Sequence, residues 1–156
     1  MASADARLDE LGIELPAPQS PVANYRMTRR HGDLLFVSGH VSARLDGSGV
    51  IAGKVGQDLT TDEGREAARA TTIHALSSIR AELGSLDRVG AVLRVFGMVN
   101  SADGYTEMPQ VVNGCSDLLV DVFGEEVGKH ARAAVGVAEL PLGAAVEIEM
   151  VVAVGD

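Results

Sequence analysis

The stretch "HARAAVGVAELPLGAAVEIEMVVAVGD", residues 130–156, contains two apolar segments separated by the turn-forming sequence LPLGAA. Residues 131–138 and 144–154 have strand length and are rich in alanine and valine, which predicts two β-strands. Because only a short turn containing Pro and Gly joins them, they are predicted to pair as a hairpin that closes the chain. One arginine, Arg132, lies near the start of the first strand.

Arg132 is the first candidate functional residue. In a strand it shares a face with Ala134, Gly136 and Ala138, whose small side chains would leave an open pocket around it. A guanidinium is planar and always charged, so it suits bidentate binding of a carboxylate. An edge-strand arginine in solvent, or in a structural ion pair, is the alternative interpretation.

Glu147 and Glu149 alternate with apolar residues and therefore face one side of the second strand. A carboxylate there could orient a water molecule or act as a general base, or it could simply face solvent. In a hairpin turning near Gly143, Arg132 lies opposite roughly Val154, which is ~23 Å along the strands from Glu147. We therefore expect any site that uses both Arg132 and Glu147 to lie between subunits.

Two helices are predicted in the middle of the chain. In the first, residues 60–84, Thr60 and Glu63 have the spacing of a capping box and Gly84 is the stop signal. The second, residues 108–124, has Pro109 near its start and an apolar face formed by Val112, Cys115, Leu119 and Val122. Asn113 and Gly114 are poor helix formers inside it, which indicates either a function or a distortion of the helix.

The remaining segments are predicted to be mostly strands. A turn at residues 31–33 joins two strands in a hairpin, a short strand lies around Val50 and Ile51 after a turn at residues 46–47, and residues 89–99 form a buried strand. A short helix at residues 3–11 and a proline-rich connector form an N-terminal arm, residues 1–22, ahead of a single α+β domain, residues 23–156.

Composition limits the class of protein. The 156 residues carry a net charge of -9 with only 3% aromatic residues, which argues against a nucleic-acid partner. A lone cysteine, Cys115, and a short polar start without an apolar stretch predict a cytoplasmic protein, and no apolar run has membrane-spanning length. The four histidines lack the spacing of metal ligands, so no metal is expected.

Three strand sequences, LLFVSG, VLRVFGMV and MVVAV, are apolar at successive positions, as in strands buried on both faces. Two helices can cover only one face of a sheet. We therefore expect the second face to pack against other copies of the chain. The alternative is that the strands are central and expose a few small apolar side chains.

The segments together resemble the Rid family, the YjgF-like reactive-intermediate deaminases. The resemblance rests on residues 24–40 (NYRMTRRHGDLLFVSGH), 53–69 (GKVGQDLTTDEGREAAR), 93–99 (LRVFGMV) and above all 130–154. It implies a chorismate-mutase-like fold with a mixed β-sheet and two helices packed on one face, a homotrimer, and clefts between the subunits. It also implies a hydrolase that needs no cofactor and converts 2-imino acids to 2-keto acids and ammonia.

The same resemblance assigns roles to five residues. Arg132 corresponds to the arginine that holds the substrate carboxylate, and Glu147 to the cleft glutamate associated with the water. Tyr25 corresponds to a cleft tyrosine near the arm, Asn113 to a helix asparagine lining the site, and Gly39 to the backbone edge of the pocket.

Three positions depart from the family pattern. Ala133 and Ala134 stand where a hydroxyl or thiol often follows the arginine, and His40 stands where glutamine is common. The first hypothesis is therefore an enamine/imine deaminase, and the alternative is a non-catalytic trimer that binds small carboxylates such as 2-keto acids. A third hypothesis, a ribonuclease or translation inhibitor, fits the acidic charge least.

Overall fold

One five-stranded sheet and three α-helices make up the fold in the computed structural model, which describes residues 3–155. The predicted arm begins at Met1 and the predicted domain ends at Asp156. These two residues and Ala2 lie outside the described residues. The elements are α1 (Ala4–Glu10), β1 (Thr28–His31), β2 (Leu34–Val41), α2 (Thr61–Leu83), β3 (Val89–Asn100), α3 (Met108–Gly128), β4 (Ala131–Val137) and β5 (Val146–Val154).

The strand order is β1-β2-β5-β3-β4, with β3 and β4 parallel and every other pair antiparallel. The predicted hairpin of β4 with β5 is therefore wrong, because β3 lies between them. The connecting turn is held elsewhere: Gly143 accepts a backbone hydrogen bond from Gly53, and Ala145 accepts one from Asn100. These bonds carry the chain across the end of β3, so β5 enters the centre of the sheet and pairs on both edges.

The local signals at the chain's turns and caps are mostly confirmed. Thr60 and Glu63 form the reciprocal capping box of α2, and Gly84 ends that helix in the left-handed conformation. The predicted turn between β1 and β2 has Gly32 at a φ of 58°. The short strand predicted around Val50 is wrong, since residues 43–52 make only isolated bridges.

Helices α2 and α3 pack side by side on one face of the sheet, α2 over β2 and β5 and α3 over β3 and β4. All four residues of the predicted apolar face of α3 are buried: Val112, Cys115, Leu119 and Val122. The short helix predicted at residues 3–11 forms as α1, but two helices on the sheet are not the whole of the core: α1 packs against α3 and buries Leu8 there. No helix within residues 3–155 combines the length and the apolar character needed to cross a membrane.

The opposite face of the sheet is only half covered in one chain. Strand β5 alternates strictly between buried residues toward the helices and partly exposed residues on this outer face. Four large apolar side chains of the sheet are exposed by more than a third: Leu34, Phe36, Leu93 and Val135. Leu34, Phe36 and Leu93 lie in two of the three strands that were expected to be buried on both faces, so those strands present apolar surface in one chain.

Candidate functional site

Arg132 lies on the helix-covered face of the sheet, at its β4 edge. Its register partner on β3 is Val95, which is fully buried beneath the helices, and parallel partners point to the same face. The guanidinium reaches α3, where Nη1 donates hydrogen bonds to Asn113 Oδ1 at 2.8 Å and to Ser116 Oγ at 3.0 Å. Two predicted site residues, Arg132 and Asn113, are thus brought together within one chain.

Helix α3 can place Asn113 beside the strand because Gly114 follows it. A Cβ at position 114 would overlap the backbone carbonyl of Arg65 on α2, so glycine permits the two helices to approach closely. The unfavourable Asn-Gly pair in the helix interior therefore has two explanations. Gly114 serves helix packing, and Asn113 holds the arginine.

The small neighbours of Arg132 do not enclose an open pocket in the chain. Ala134 packs against the hydrophobic core. A Cβ at Gly136 would overlap the hydroxyl of Ser101, so the missing side chain makes room for a neighbouring loop. Arg132 instead lies exposed to solvent at the edge of the sheet.

The charge of Arg132 has no carboxylate partner within residues 3–155. Both contacts of its guanidinium are neutral oxygens on Nη1, and the donors on Nε and Nη2 have no partner among those residues. The structural ion pair that was the alternative interpretation of Arg132 is therefore not formed inside the described chain. The other alternative, an edge-strand arginine exposed to solvent, matches its position on β4. The guanidinium is thus a fixed cation with one free edge, which is suited to an oxyanion.

Ser116 and His130 extend this cluster, and sequence reasoning missed both. His130 Nδ1 lies 2.7 Å from the carbonyl oxygen of Gly128, so Nδ1 carries the hydrogen and donates. In the neutral ring Nε2 then accepts from the hydroxyl of Ser116, over 3.0 Å. Burial, together with the positive charge of Arg132, holds the pKa of His130 below its ordinary value, which favours this neutral form.

A spacing signal for these residues exists in the sequence. Asn113 and Ser116 are three apart on a helix and so share a face, and His130 stands two residues before Arg132. The signal becomes readable only when β4 is placed beside α3, which the hairpin prediction prevented.

Glu147 and Gly39 form a second group on the outer face. A Cβ at position 39 would overlap Glu147 Oε1, so the glycine leaves the space that this carboxylate occupies. Burial, and the neighbouring negative charge of Glu149, raise the pKa of Glu147. Glu149 itself lies 3.9 Å from Arg94, whereas Glu147 has no ion-pair partner within residues 3–155.

A bulge in β2 sets the position of Gly39. The register with β5 shifts between Val37 and His40, which places Ser38 and Gly39 in the irregularity. Ser38 binds the segment that follows the proline-rich connector, donating from its amide to Met27 and from its hydroxyl to the carbonyl of Arg26 at 2.6 Å. Tyr25 therefore lies next in sequence to a segment anchored at the bulge, with 45% of its surface exposed.

His40, the departure from the family pattern beside Gly39, points away from Glu147 into the protein. It is fully buried, with Nδ1 2.7 Å from the carbonyl oxygen of Ser38 and Nε2 2.9 Å from the hydroxyl of Ser78 on α2. Burial lowers its pKa, the hydrogen bond to Ser38 opposes that shift, and the charge of His74 adds to it. His40 therefore acts as a neutral clamp between β2 and α2.

The two groups do not meet within one chain. Glu147 pairs with Met98 of β3, and Arg132 pairs with Val95 of the same strand. The offset of three residues corresponds to roughly 10 Å along the strands, and two strand spacings add roughly 10 Å across the sheet. Glu147 and Arg132 also point to opposite faces. The expectation that they cannot cooperate in one chain stands, for a reason different from the predicted hairpin.

Metal-ligating side chains are not clustered in the part of the chain that the structure describes: no three His, Cys, Asp or Glu residues there converge on one point. Cys115 is fully buried, and burial raises the pKa of its thiol to about 12, so the thiolate is not available as a ligand or nucleophile. Among the described candidate residues, Arg132 has the charge and free donors suited to an anion, and Glu147 has a carboxylate suited to proton transfer.

Comparison with known proteins covers nearly the whole chain. A family model described as "YjgF/chorismate mutase-like, putative endoribonuclease" matches residues 5–153. A protein of Trypanosoma cruzi named TCP17 is 48% identical over 147 residues, which cover 94% of this chain and 91% of that protein. The residues matched by the family model, 5–153, span the positions of both groups of candidate residues.

Two solved structures have the same fold. The Agrobacterium tumefaciens protein Atu1372, described as of unknown function, is 38% identical with a TM-score of 0.89, and the alignment covers 97% of this chain and 92% of Atu1372. A Shewanella oneidensis protein described as "a putative endoribonuclease" is 30% identical with a TM-score of 0.92, covering 97% and 99% of the two chains.

Proposed function

The chain belongs to the YjgF/chorismate mutase-like family, and from that premise we propose that it is a deaminase of reactive 2-imino acids and their enamine tautomers. Water adds across the carbon–nitrogen double bond, and the products are a 2-keto acid and ammonia. The observation that carries the proposal is Arg132, a guanidinium fixed by two neutral oxygens and left without a carboxylate partner among residues 3–155.

Arg132 binds the carboxylate of the substrate. Since Nη1 is occupied by Asn113 and Ser116, a ligand meets the edge formed by Nε and Nη2. That edge presents two parallel N–H donors to the two oxygens of a carboxylate. A 2-imino acid carries its carboxylate next to the electrophilic carbon, so this one contact also orients the reacting centre.

Glu147 handles the water and the protons. Its raised pKa makes the Glu147 carboxylate a stronger base than an ordinary glutamate. It can therefore take a proton from the attacking water and return it to the departing nitrogen. The substrate needs no further activation, because the imine carbon is already electrophilic. A cofactor is not needed for such a hydrolysis.

Arg132 and Glu147 require two chains to form one site, so the proposal includes a homotrimer with its sites in the clefts between subunits. The half-covered outer face supports assembly, since it presents Phe36 at 46% exposure and Leu34 at 37%. Packing such surface against another copy removes it from water. Tyr25 and Gly39 would then line the Glu147 side of each cleft, and Asn113 the Arg132 side.

A coupled assay tests the deaminase proposal. A pyridoxal-phosphate-dependent serine dehydratase releases a 2-imino acid, and the appearance of pyruvate is followed with and without the protein. We expect pyruvate to form faster with the wild type and no faster than the uncatalysed rate with Arg132→Ala. No acceleration by a wild type that is folded and oligomeric would refute the activity.

A non-catalytic carboxylate-binding trimer is the second candidate, and Ala133 and Ala134 favour it. These residues supply no hydroxyl or thiol beside the anchor, and Ala134 packs against the core. Calorimetry with pyruvate then finds binding that depends on Arg132, while the coupled assay shows no acceleration. Ribonuclease activity, which the family description and the Shewanella relative's description name, ranks last because the chain carries a net charge of -9.

A further inference from the structure

We propose that Ser116 and neutral His130 act as positioning residues for Arg132, and that carboxylate binding at Arg132 is coupled to proton uptake by His130. This inference rests on the proposed carboxylate anchor and deepens it. The residues form an unbroken series of hydrogen bonds from the guanidinium to the backbone carbonyl of Gly128.

The direction of each hydrogen bond follows from the two ends of the series. Arg132 Nη1 can only donate, and the carbonyl oxygen of Gly128 can only accept. His130 therefore donates from Nδ1, and its Nε2 accepts from the Ser116 hydroxyl. Ser116 in turn keeps its lone pairs toward Arg132. One neutral tautomer of His130 thus satisfies every partner.

Protonation of His130 breaks this order. Nε2 would then donate to Ser116 Oγ, so one oxygen would accept from two cations and its own hydrogen would need another partner. The charged arrangement is therefore disfavoured while Arg132 is unpaired, in agreement with the lowered pKa of His130. A carboxylate bound at Arg132 neutralises part of that repulsion and makes protonation easier.

Other charges near the ring are paired or turned away. Lys129, the residue before His130, lies 3.1 Å from Glu125 at the end of α3. Arg94 of β3 is the register partner of Ala131, points to the outer face and is 3.9 Å from Glu149. The residues that α3 presents to the cluster, Asn113 and Ser116, are neutral. Arg132 is therefore the charge that governs the ring.

The geometric consequence is a selected binding edge. Two acceptors on α3 occupy both hydrogens of Nη1, so the end-on approach between Nη1 and Nη2 is closed and the Nε and Nη2 edge remains open. If Ser116 is lost, the guanidinium can rotate about its last torsion and samples orientations that do not match the ligand. The free energy lost is that of one hydrogen bond, which corresponds to a Kd about tenfold weaker.

Isothermal titration calorimetry with pyruvate tests the inference, between pH 5 and pH 8 and in two buffers of different ionisation enthalpy. For the wild type we expect proton uptake on binding below pH 6.5, the ordinary pKa of histidine. Ser116→Ala should weaken binding about tenfold. Ser116→Thr, which keeps the hydroxyl, should restore it. Glu147 of the proposed cleft also has a raised pKa, so the uptake is measured in the Glu147→Gln background, where His130→Gln should abolish it. His31→Gln, which removes an exposed histidine, serves as its control.

The outcomes separate this inference from the proposed function. If the wild type binds pyruvate but Ser116→Ala and His130→Gln bind with unchanged affinity and unchanged proton uptake, the positioning role is overturned and the anchor stands. If Arg132→Ala binds as well as the wild type, or the wild type does not bind pyruvate, the anchor fails and the coupling fails with it. An NMR titration in which the pKa of His130 does not rise in Arg132→Ala would independently overturn the coupling.

Discussion

Arg132 and Glu147 point to opposite faces of one sheet, with strand β3 between the strands that carry them. Each has its own supporting residues: Asn113 and Ser116 hold the arginine, and Gly39 makes room for the glutamate. Neither residue is placed to assist the other in the same chain. The proposed site therefore depends on the meeting of two different surfaces of neighbouring copies.

Replacing Arg132 should remove ligand binding without unfolding the chain. Arg132→Ala deletes the only proposed contact with the ligand carboxylate, and Arg132→Lys supplies a charge but not the planar pair of donors. We expect the Kd for pyruvate to rise at least about 100-fold in the alanine variant, by the cost of a lost charge-assisted hydrogen-bonded pair. Calorimetry gives the Kd directly.

Arg65→Ala is the matched control for that experiment. Arg65 is an exposed arginine on α2 that pairs with Asp117, so its removal changes the net charge equally. Binding reduced as much in Arg65→Ala as in Arg132→Ala would mean that pyruvate responds to net charge and not to one site.

Glu147→Gln should separate catalysis from binding. The amide keeps the shape of the side chain but cannot accept a proton from water, so we expect the coupled-assay rate to fall by about 10²–10⁴-fold. Affinity for pyruvate should change little, because the proposed contact of its carboxylate is with Arg132. Glu149→Gln is the control, since it leaves the carboxylate at position 147 in place. Equal loss of activity in both variants would argue against a specific role of Glu147.

Gly114→Ala should destabilise the fold. The added Cβ would overlap the backbone carbonyl of Arg65, which cannot move independently of α2, so the two helices must separate. We expect the free energy of unfolding to fall by about 1–3 kcal/mol. Urea denaturation followed by circular dichroism measures it, with Gln110→Ala at an exposed position of the same helix as control. Equal stability of the two variants would disprove the close helix contact.

Acidification should weaken the fold through His40. Its folded-state pKa lies below the ordinary value of 6.5, because the charged form of the buried ring lacks the hydration that it has in the unfolded chain. At a pH between the folded-state and unfolded-state pKa values of His40, the unfolded chain binds the proton and the folded chain does not. The contribution of His40 to the free energy of unfolding is therefore fully present above pH 6.5 and is lost as the pH decreases below it. One such histidine costs about 1.4 kcal/mol per pH unit in that window.

His40→Gln should remove the His40 contribution and leave that of His130, whose pKa is also lowered, since glutamine can still reach hydrogen-bonding partners but does not titrate. Urea midpoints at pH 7.5 and pH 5.5 provide the measurement, and His31→Gln is the matched control. A wild type whose midpoint rises on acidification would contradict the neutral clamp.

How far the fold could be predicted depended on how local each signal was. Thr60, Glu63 and Gly84 mark the ends of α2 correctly because caps act within four residues. Alternation in β5 correctly identifies which residues face the helices, yet it carries no information about which strands are neighbours. The hairpin prediction failed there: the LPLGAA turn bonds to Gly53 and Asn100, which are distant in sequence.

The candidate site, like the fold, could be predicted only where a residue stands out from its local sequence. Arg132 stands out as a charge in an apolar strand, and Asn113 with Gly114 as an anomaly in a helix, so both positions could be identified from residues alone. Ser116 and His130 could not, because a serine in a helix and a histidine before a strand are ordinary. Their importance follows from the parallel pairing of β4 with β3, which brings α3 over Arg132.

A crystal structure of the protein with pyruvate bound tests the central claim most directly. The account predicts a ligand carboxylate within about 3 Å of Arg132 Nε and Nη2, in a cleft where the Glu147 carboxylate of a neighbouring copy approaches the keto carbon. Pyruvate bound away from Arg132, or bound at Arg132 in a cleft that no neighbouring Glu147 reaches, would contradict it.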